Sequence, residues 1–134
     1  MSVVKDIADF LEDNSIGTVG TNIFCADMPD TPNDLVCLFE YAGNPPMLNE
    51  DIDQPGVQVR ARNTDYETAR AKLQTIQNLL MRVGYTEDAT YFDGMTINST
   101  RYLRITPAQG ITSLGVDAKN RADMVQNFYI IKGR

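Results

Sequence analysis

Residues 57–84 read VQVRARNTDYETARAKLQTIQNLLMRVG, and they contain the clearest structural signals in this sequence. Apolar and polar residues alternate from Val57 to Asn63, which is the two-residue period of a strand with one buried face. Thr64 and Glu67 then form a capping box, the usual start of an α-helix. Apolar residues recur every three or four positions as far as Val83, and the next residue is a glycine, a common helix stop. The segment therefore predicts a strand followed directly by a long helix, whose polar residues, such as Gln77, face water.

The residues before this segment predict one helix and two strands. Ser2 is placed to cap a helix whose apolar stripe reaches Leu11, and Asp13, Asn14 and Gly17 end it. Strands are predicted at Thr21–Ala26 and Asp34–Ala42. Residues 43–56, GNPPMLNEDIDQPG, contain three prolines and several acids, so a long loop is predicted there.

The residues after the segment predict three more strands, at Thr90–Asn98, Arg101–Pro107 and Asp123–Lys132. The polar segment SLGVDAKNRAD is interpreted as a loop that leads into the last and most buried strand. The order is α-β-β-β-α-β-β-β over a single domain, residues 1–134. Grouped strands favour an α+β fold with a mainly antiparallel mixed sheet and both helices on one face.

Composition narrows the range of functions. The 134 residues are 43% hydrophobic and 22% charged, which is typical of a folded globular protein, and the net charge is −6. Such an acidic chain is a poor candidate for tight sequence-independent nucleic-acid binding, which requires clustered Lys and Arg. No membrane span or signal peptide is recognised, so we expect synthesis in a reducing cytoplasm. Cys25 and Cys37 lie among apolar residues and are interpreted as small core residues.

No pattern of catalytic or cofactor-binding residues is recognised. Histidine is absent, which excludes serine–histidine and histidine–zinc sites, and neither glycine-rich phosphate-binding motif occurs. Two acidic clusters lack the spacing of a calcium loop. They are Glu50, Asp51 and Asp53, and Asp117, Asn120 and Asp123, the second interrupted by Lys119 and Arg121. We therefore expect no cofactor and no metal, although a pair of distant carboxylates acting as a hydrolase stays open.

Four arginines lie on two predicted strands, where each pair is expected to share one face of the sheet. One interpretation is a solvated face with the arginines paired to nearby acids. The other is a protein–protein contact, because arginine is enriched in interfaces. The candidate interface residues are Arg60, Arg62, Arg101, Arg104, Glu50, Asp51, Asp53, Asp117, Lys119 and Arg121.

Three segments together resemble a known family: VVKDIADFLEDN near the start, GVQVRARNTDYETARAKLQTIQNLL in the middle, and LGVDAKNRADMVQNFYI near the end. In this order and spacing they resemble the minor capsid and tail-terminator proteins, also called tail completion or tail-to-head joining proteins, of long-tailed bacteriophages. The matching positions are Gly56, Gln58, Val59, Arg62, Asp65, Tyr66, Ala69, Leu114, Gly115, Asp117, Arg121, Asn127 and Phe128.

The resemblance implies a small α+β protein without catalytic activity or cofactor. It implies a homo-oligomeric ring, a hexamer, on the head-proximal end of the tail tube. Such a ring ends tube polymerisation, joins the tube to the connector proteins under the head, and lets DNA pass without specific binding. The protein would then be located in the virion, at the head–tail junction.

Other functions remain open at this point. The chain could be a neighbouring connector component, such as a stopper or head-completion protein. From a different class, it could be a small cytosolic domain that binds a ligand between sheet and helices. These alternatives differ in partner and in oligomeric state, which the sequence does not specify.

Overall fold

The computed structural model describes residues 2–47, 50–83 and 94–134. These residues form two helices, α1 (Val3–Asp13) and α2 (Tyr66–Met81). They also form seven strands: β1 (Ile23–Cys25), β2 (Leu35–Met47), β3 (Ile52–Asn63), β4 (Met95–Ile97), β5 (Thr100–Pro107), β6 (Thr112–Val116) and β7 (Ala122–Gly133).

The strands make one sheet in the order β1-β2-β3-β7-β5-β4. β1 is parallel to β2, and every other described pairing is antiparallel. β7 is central: β3 pairs along one of its edges, while β5 and β6 share the other, β5 at residues 128–132 and β6 at residues 122–125. The predicted α+β class is confirmed, and so is the burial of the last strand.

Both helices pack on the same face of the sheet, called here the helix face. α1 contacts β1 to β4, whereas α2 contacts β3, β5 and β7, so β3 lies beneath both. The alternation predicted for β3 is present, because Val57, Val59 and Ala61 are buried on the helix face. The helix residues that complete this core include Ile7, Leu11, Leu73, Ile76 and Leu80.

Two polar groups are buried on the helix face. The carboxylate of Asp6 in α1 accepts a hydrogen bond from the Tyr102 hydroxyl at 2.6 Å and another from the Asn98 amide at 3.1 Å. Burial, followed by the hydrogen bond to Asp6, raises the pKa of Tyr102. Gln126 of β7 donates to the side-chain oxygen of Gln77 at 2.6 Å, so the prediction that Gln77 faces water is wrong. These bonds tie each helix to the sheet.

The helix starts agree with the sequence to within one residue. The Ser2 hydroxyl accepts from the Lys5 backbone N–H at the start of α1, as predicted. At α2 the cap is Asp65 rather than Thr64: its carboxylate accepts from the Thr68 N–H at 3.1 Å. An ionised side chain makes the stronger bond to a helix N-terminus, which favours the aspartate.

The prediction of a long loop over residues 43–56 is wrong. β2 continues to Met47 and β3 begins at Ile52, so most of the segment is an extended hairpin. Its prolines lie where the register between β2 and β3 shifts: Pro45 and Pro46 between Asn44 and Met47, and Pro55 on β3 between Gln54 and Gly56. Pro45 and Pro46 also lie beyond the part of β2 that pairs with β1, so their missing N–H groups cost no bond to β1.

A further difference concerns residues 113–116, which were predicted as part of a polar loop but belong to β6. The strand is short and irregular. Its register with β7 shifts between Ser113 and Val116, and Gly115 has a φ of 93°, which glycine adopts without strain. Of the predicted strand Thr90–Asn98, the first four residues lie outside the described residues, as does the predicted helix stop at residue 84.

Candidate functional site

The face of the sheet opposite the helices, called here the outer face, is partly covered by residues 26–34, which connect β1 to β2. Arg62 holds this connection in place. Its guanidinium donates to the carbonyl oxygens of Pro29 and Pro32, each at 2.7 Å, and to that of Asp30 at 3.2 Å. Arg62 is only 5% exposed. Its pKa is lowered, first by burial and then by the positive charge of Arg121. Arg62 thus has a structural role, and little of its surface is exposed for contact with another protein.

Arg121 also bonds the connection formed by residues 26–34, and like Arg62 it is 5% exposed. It donates to the carboxylate of Asp117 at 2.8 Å and to that of Asp30 at 3.2 Å. Asp117 also accepts from the backbone N–H groups of Lys119 and Arg121, each at 3.0 Å. The side-chain bond from Arg121 and then these backbone bonds lower the pKa of Asp117 to about 2. Asp117 therefore closes a turn, and Lys119 forms a surface ion pair with Asp30.

Arg60 is paired within the chain as well. Its guanidinium bonds the carboxylate of Asp123 on β7 and lies 6.0 Å from the centre of the Phe39 ring on β2. The Arg60 side chain is 26% exposed, so part of it faces solvent. The alternative in which the arginines pair with nearby acids accounts for this residue.

Arg101 and Arg104 of β5 are exposed. Residues three positions apart normally lie on opposite faces of a strand. Here Tyr102 pairs with Lys132 and Arg104 with Ile131, so Leu103 is an extra residue that forms a bulge. The bulge puts Tyr102 on the helix face and both arginines on the outer face, as the sequence interpretation assumed.

The two larger segments that carry the family resemblance pair with each other across β3 and β7. Gln58 lies opposite Asn127, and their side chains hydrogen-bond at 3.2 Å. The Tyr41 ring lies over Gly56, where a Cβ atom would clash with it, and its hydroxyl donates to the Phe128 carbonyl at 3.2 Å. These positions therefore serve the fold. Two other matching residues are large, apolar and exposed: Tyr66 by 46% and Leu114 by 54%.

One end of the sheet carries the acidic residues of the β2–β3 hairpin, and we call it the acidic end. Asp53 accepts from the Arg134 guanidinium at 3.1 Å and lies 3.7 Å from the Lys132 ammonium. The Arg134 guanidinium also lies 3.8 Å from the carboxylate of Asp51, whose side chain is 96% exposed, and Glu50 is exposed beside it. The sequence analysis did not include the two cations, because they are more than seventy positions away and become neighbours only through β3–β7 pairing.

The opposite end of the sheet carries β6, a strand without charged residues, and we call it the β6 end. All five residues of β6 are exposed, with Leu114 exposed by 54% and Val116 by 63%. The start of α2 lies at the same end, since Asn63 and Val116 both pair with Ala122. The sequence analysis missed this strand, although the spacing of Thr112, Leu114 and Val116 is that of a strand face.

The described residues contain no group of three or more Cys, Asp or Glu that could hold a metal ion. Cys37 is buried, and burial raises the pKa of its thiol to about 11, which leaves it protonated and unreactive. Cys25 is aligned with Leu38 rather than with Cys37 and donates to the Val4 carbonyl. No described helix is long and apolar enough to cross a bilayer.

An open cleft of about 680 Å³ lies beside β1, and the residues along it offer one carboxylate and no cation. They are Gly20, Thr21, Asn22, Phe24, Pro29, Thr31, Pro32 and Asp34. Ligand sites usually combine an enclosed apolar wall with convergent polar groups. This shallow arrangement fits that description poorly.

The family model described as "Bacteriophage tail terminator protein" matches residues 10–133, from within α1 to the end of β7. Among solved structures, a chain of the "Virion of native gene transfer agent (GTA) particle" is similar, with a TM-score of 0.66 and 13% identity. That alignment covers 99% of this chain and 96% of the other. At this identity the likeness concerns the fold. No curated protein matches the chain.

Proposed function

We propose that this chain, which belongs to the bacteriophage tail terminator family and is a structural protein of the phage tail, closes the head-proximal end of the tail tube. In this role it ends tube polymerisation and joins the tail to the connector under the head. It works as a homo-oligomeric ring, a hexamer, with a channel for DNA. It catalyses no reaction and uses no cofactor.

The observation that carries this proposal is the extent of the family match. It includes the end of α1 from Phe10, the whole of α2 and all seven described strands. A match of this extent concerns the whole fold and not a shared motif, so the function of the family is the natural hypothesis for the chain.

The two different ends of the sheet support a joining role. The acidic end presents Glu50, Asp51 and Asp53, with Arg134 among them. The β6 end presents uncharged, exposed apolar residues. A ring that joins a tube to a connector contacts its own copies as well as different proteins, and two unlike surfaces meet that requirement.

The charge of the chain supports passage of DNA through the ring. Each copy has a net charge of −6, so a ring of such copies repels the phosphate backbone overall. A ring that bound DNA phosphates tightly would slow ejection of the DNA, because each neutralised phosphate strengthens binding. The buried position of Arg62 and Arg121 further reduces the cationic surface.

The proposal is tested by deleting the gene from the phage and examining the lysate by electron microscopy. We expect full heads separated from tails of uncontrolled length, and the plasmid-borne gene should restore joined particles. Tails of normal length in the deletion lysate would refute a terminating role.

A capture experiment separates the terminator from a neighbouring connector component. Purified protein is mixed in turn with tail tubes and with portal-bearing heads. A terminator binds isolated tubes and stops their growth, whereas a stopper binds heads and leaves tube growth unchanged. Binding to heads alone would replace the proposed function with the connector alternative.

A further inference from the structure

β6 is an open edge of the sheet. Thr112, Ser113 and Val116 align with β7 on one side, and no described strand pairs with the other side. A Cβ atom added at Gly115 would meet nothing within 4 Å. The side chains of this strand are therefore accessible to another molecule, and so is its second backbone edge, apart from the Gly115 N–H, which donates to the Ser113 hydroxyl at 3.1 Å.

The edges of the sheet at β1 and β2 are protected. At β1 the Ile23 carbonyl accepts from the Gly20 N–H at 2.9 Å, and the Ile23 N–H donates to the Thr18 carbonyl at 3.2 Å. Beyond its pairing with β1, β2 carries Pro45 and Pro46, which have no N–H to offer an added strand. Natural sheets use such devices against edge-to-edge pairing.

β6 has neither the bonded turn of β1 nor the prolines of β2, although it is short and its register with β7 shifts between Ser113 and Val116. Its sequence, TSLGV, contains no proline, lysine or acid, although 22% of the chain is charged. Leu114 and Val116 add exposed apolar surface. An unprotected, uncharged edge of this kind is either an aggregation hazard or a binding site for an extended segment.

We propose that β6 is the surface through which one copy of this chain contacts the next copy, with an extended segment of the neighbour added along its open edge. For contact between copies, the charge of the chain favours this uncharged strand over the acidic end. Two copies of net charge −6 repel each other, and the cost of contact is smallest where neither surface carries charge. A partner of opposite charge would instead be selected by the acidic end.

This inference rests on the proposed ring. A closed ring requires each copy to present one surface to the copy before it and a different surface to the copy after it. β6 supplies one of these two surfaces. Main-chain hydrogen bonds along the edge provide affinity, while Leu114 and Val116 provide apolar burial.

The test compares Val116→Lys with a matched control, Met81→Lys, in the full chain. Both positions are exposed apolar residues, and each substitution adds one positive charge. Assembly is followed by sedimentation velocity and negative-stain electron microscopy over a concentration series, with and without tail tubes. Thermal unfolding monitored by circular dichroism verifies that both variants are folded.

We expect Val116→Lys to raise the concentration for half-assembly at least tenfold, while Met81→Lys changes it less than twofold. A lysine lowers the net negative charge of each copy, and this effect alone would strengthen assembly. Weaker assembly of Val116→Lys would therefore come from the position of the lysine in β6. Equal assembly of the two variants would overturn the inference. A photo-crosslinking amino acid in place of Leu114 should join two copies of this chain, and crosslinks to other proteins alone would also overturn it.

The same experiment distinguishes the two proposals. If the chain ends tube growth while Val116→Lys assembles normally, the inference about β6 fails and the terminator function stands. If the chain assembles through β6 but tubes continue to grow, the inference stands and the terminator function fails.

Discussion

Replacing Arg62 with alanine should destabilise the protein strongly, because this one side chain holds residues 26–34 on the outer face. Its four bonds to carbonyl oxygens are 2.7, 2.7, 3.2 and 3.5 Å long, the longest to Asn33. Hydrogen bonds to a charged group contribute about 1.5–3 kcal/mol each. The loss is smaller than their sum, since the freed carbonyls of this surface connection regain water and the repulsion from Arg121 disappears. We expect a loss of about 2–4 kcal/mol in the free energy of unfolding.

For a domain of this size, that loss lowers the melting temperature by about 6–14 °C. The assay is urea unfolding followed by far-UV circular dichroism. The matched control is Arg70→Ala on the exposed side of α2, which should change the stability by less than about 0.5 kcal/mol. Arg62→Lys should fall between them, because one ammonium cannot reproduce the fork of donors. If Arg62→Ala and Arg70→Ala unfold at the same urea concentration, the assigned role of Arg62 is refuted.

Three further predictions concern the core, the sheet and acid stability. Tyr102→Phe removes a buried donor from Asp6 and should cost about 1–3 kcal/mol in urea unfolding; an unchanged midpoint would contradict the role of this bond. Gly56→Ala should displace the Tyr41 ring and lower the melting temperature, and Tyr41→Ala in the same chain should remove most of the steric part of this loss. Because the folded-state pKa of Asp117 is about 2, below its ordinary 3.8, its carboxylate stabilises the fold above pH 3.8, and this contribution is lost as the pH falls toward 2. Asp117→Asn should therefore lose less stability than the unmodified chain between about pH 6 and about pH 3, and equal losses would refute this.

Helices and strands were predicted correctly where the pattern that specifies them lies within a few neighbouring residues. The alternation of Val57, Val59 and Ala61 and the periodicity of α2 both appear in the structure, because burial on one face imposes those periods. The hairpin over residues 43–56 was predicted wrongly, since proline is compatible with an unpaired edge that a sequence does not reveal.

The candidate interface was harder to predict, because residue type does not specify a partner. Arg62 and Arg121 belong to a residue type that is enriched in interfaces. Both are nevertheless buried against carbonyls and carboxylates of their own chain. That outcome depends on contacts between residues about thirty and ninety positions apart. The β6 strand was missed for the opposite reason: its exposed apolar residues are few and lie within a polar segment. The interface assignment of the remaining charged residues stays a prediction.

The position of β7 in the chain has a consequence for synthesis on the ribosome. β7 is the neighbour of β3, β5 and β6, yet it follows all three in sequence. Until residues 122–133 have left the ribosome, β3 and β5 each lack the strand that lies between them. Non-local pairing of this kind forms slowly and leaves strand edges open in the meantime. The nascent chain therefore completes its sheet only after translation of β7, and a nonsense mutation upstream of residue 122 yields a product prone to aggregation.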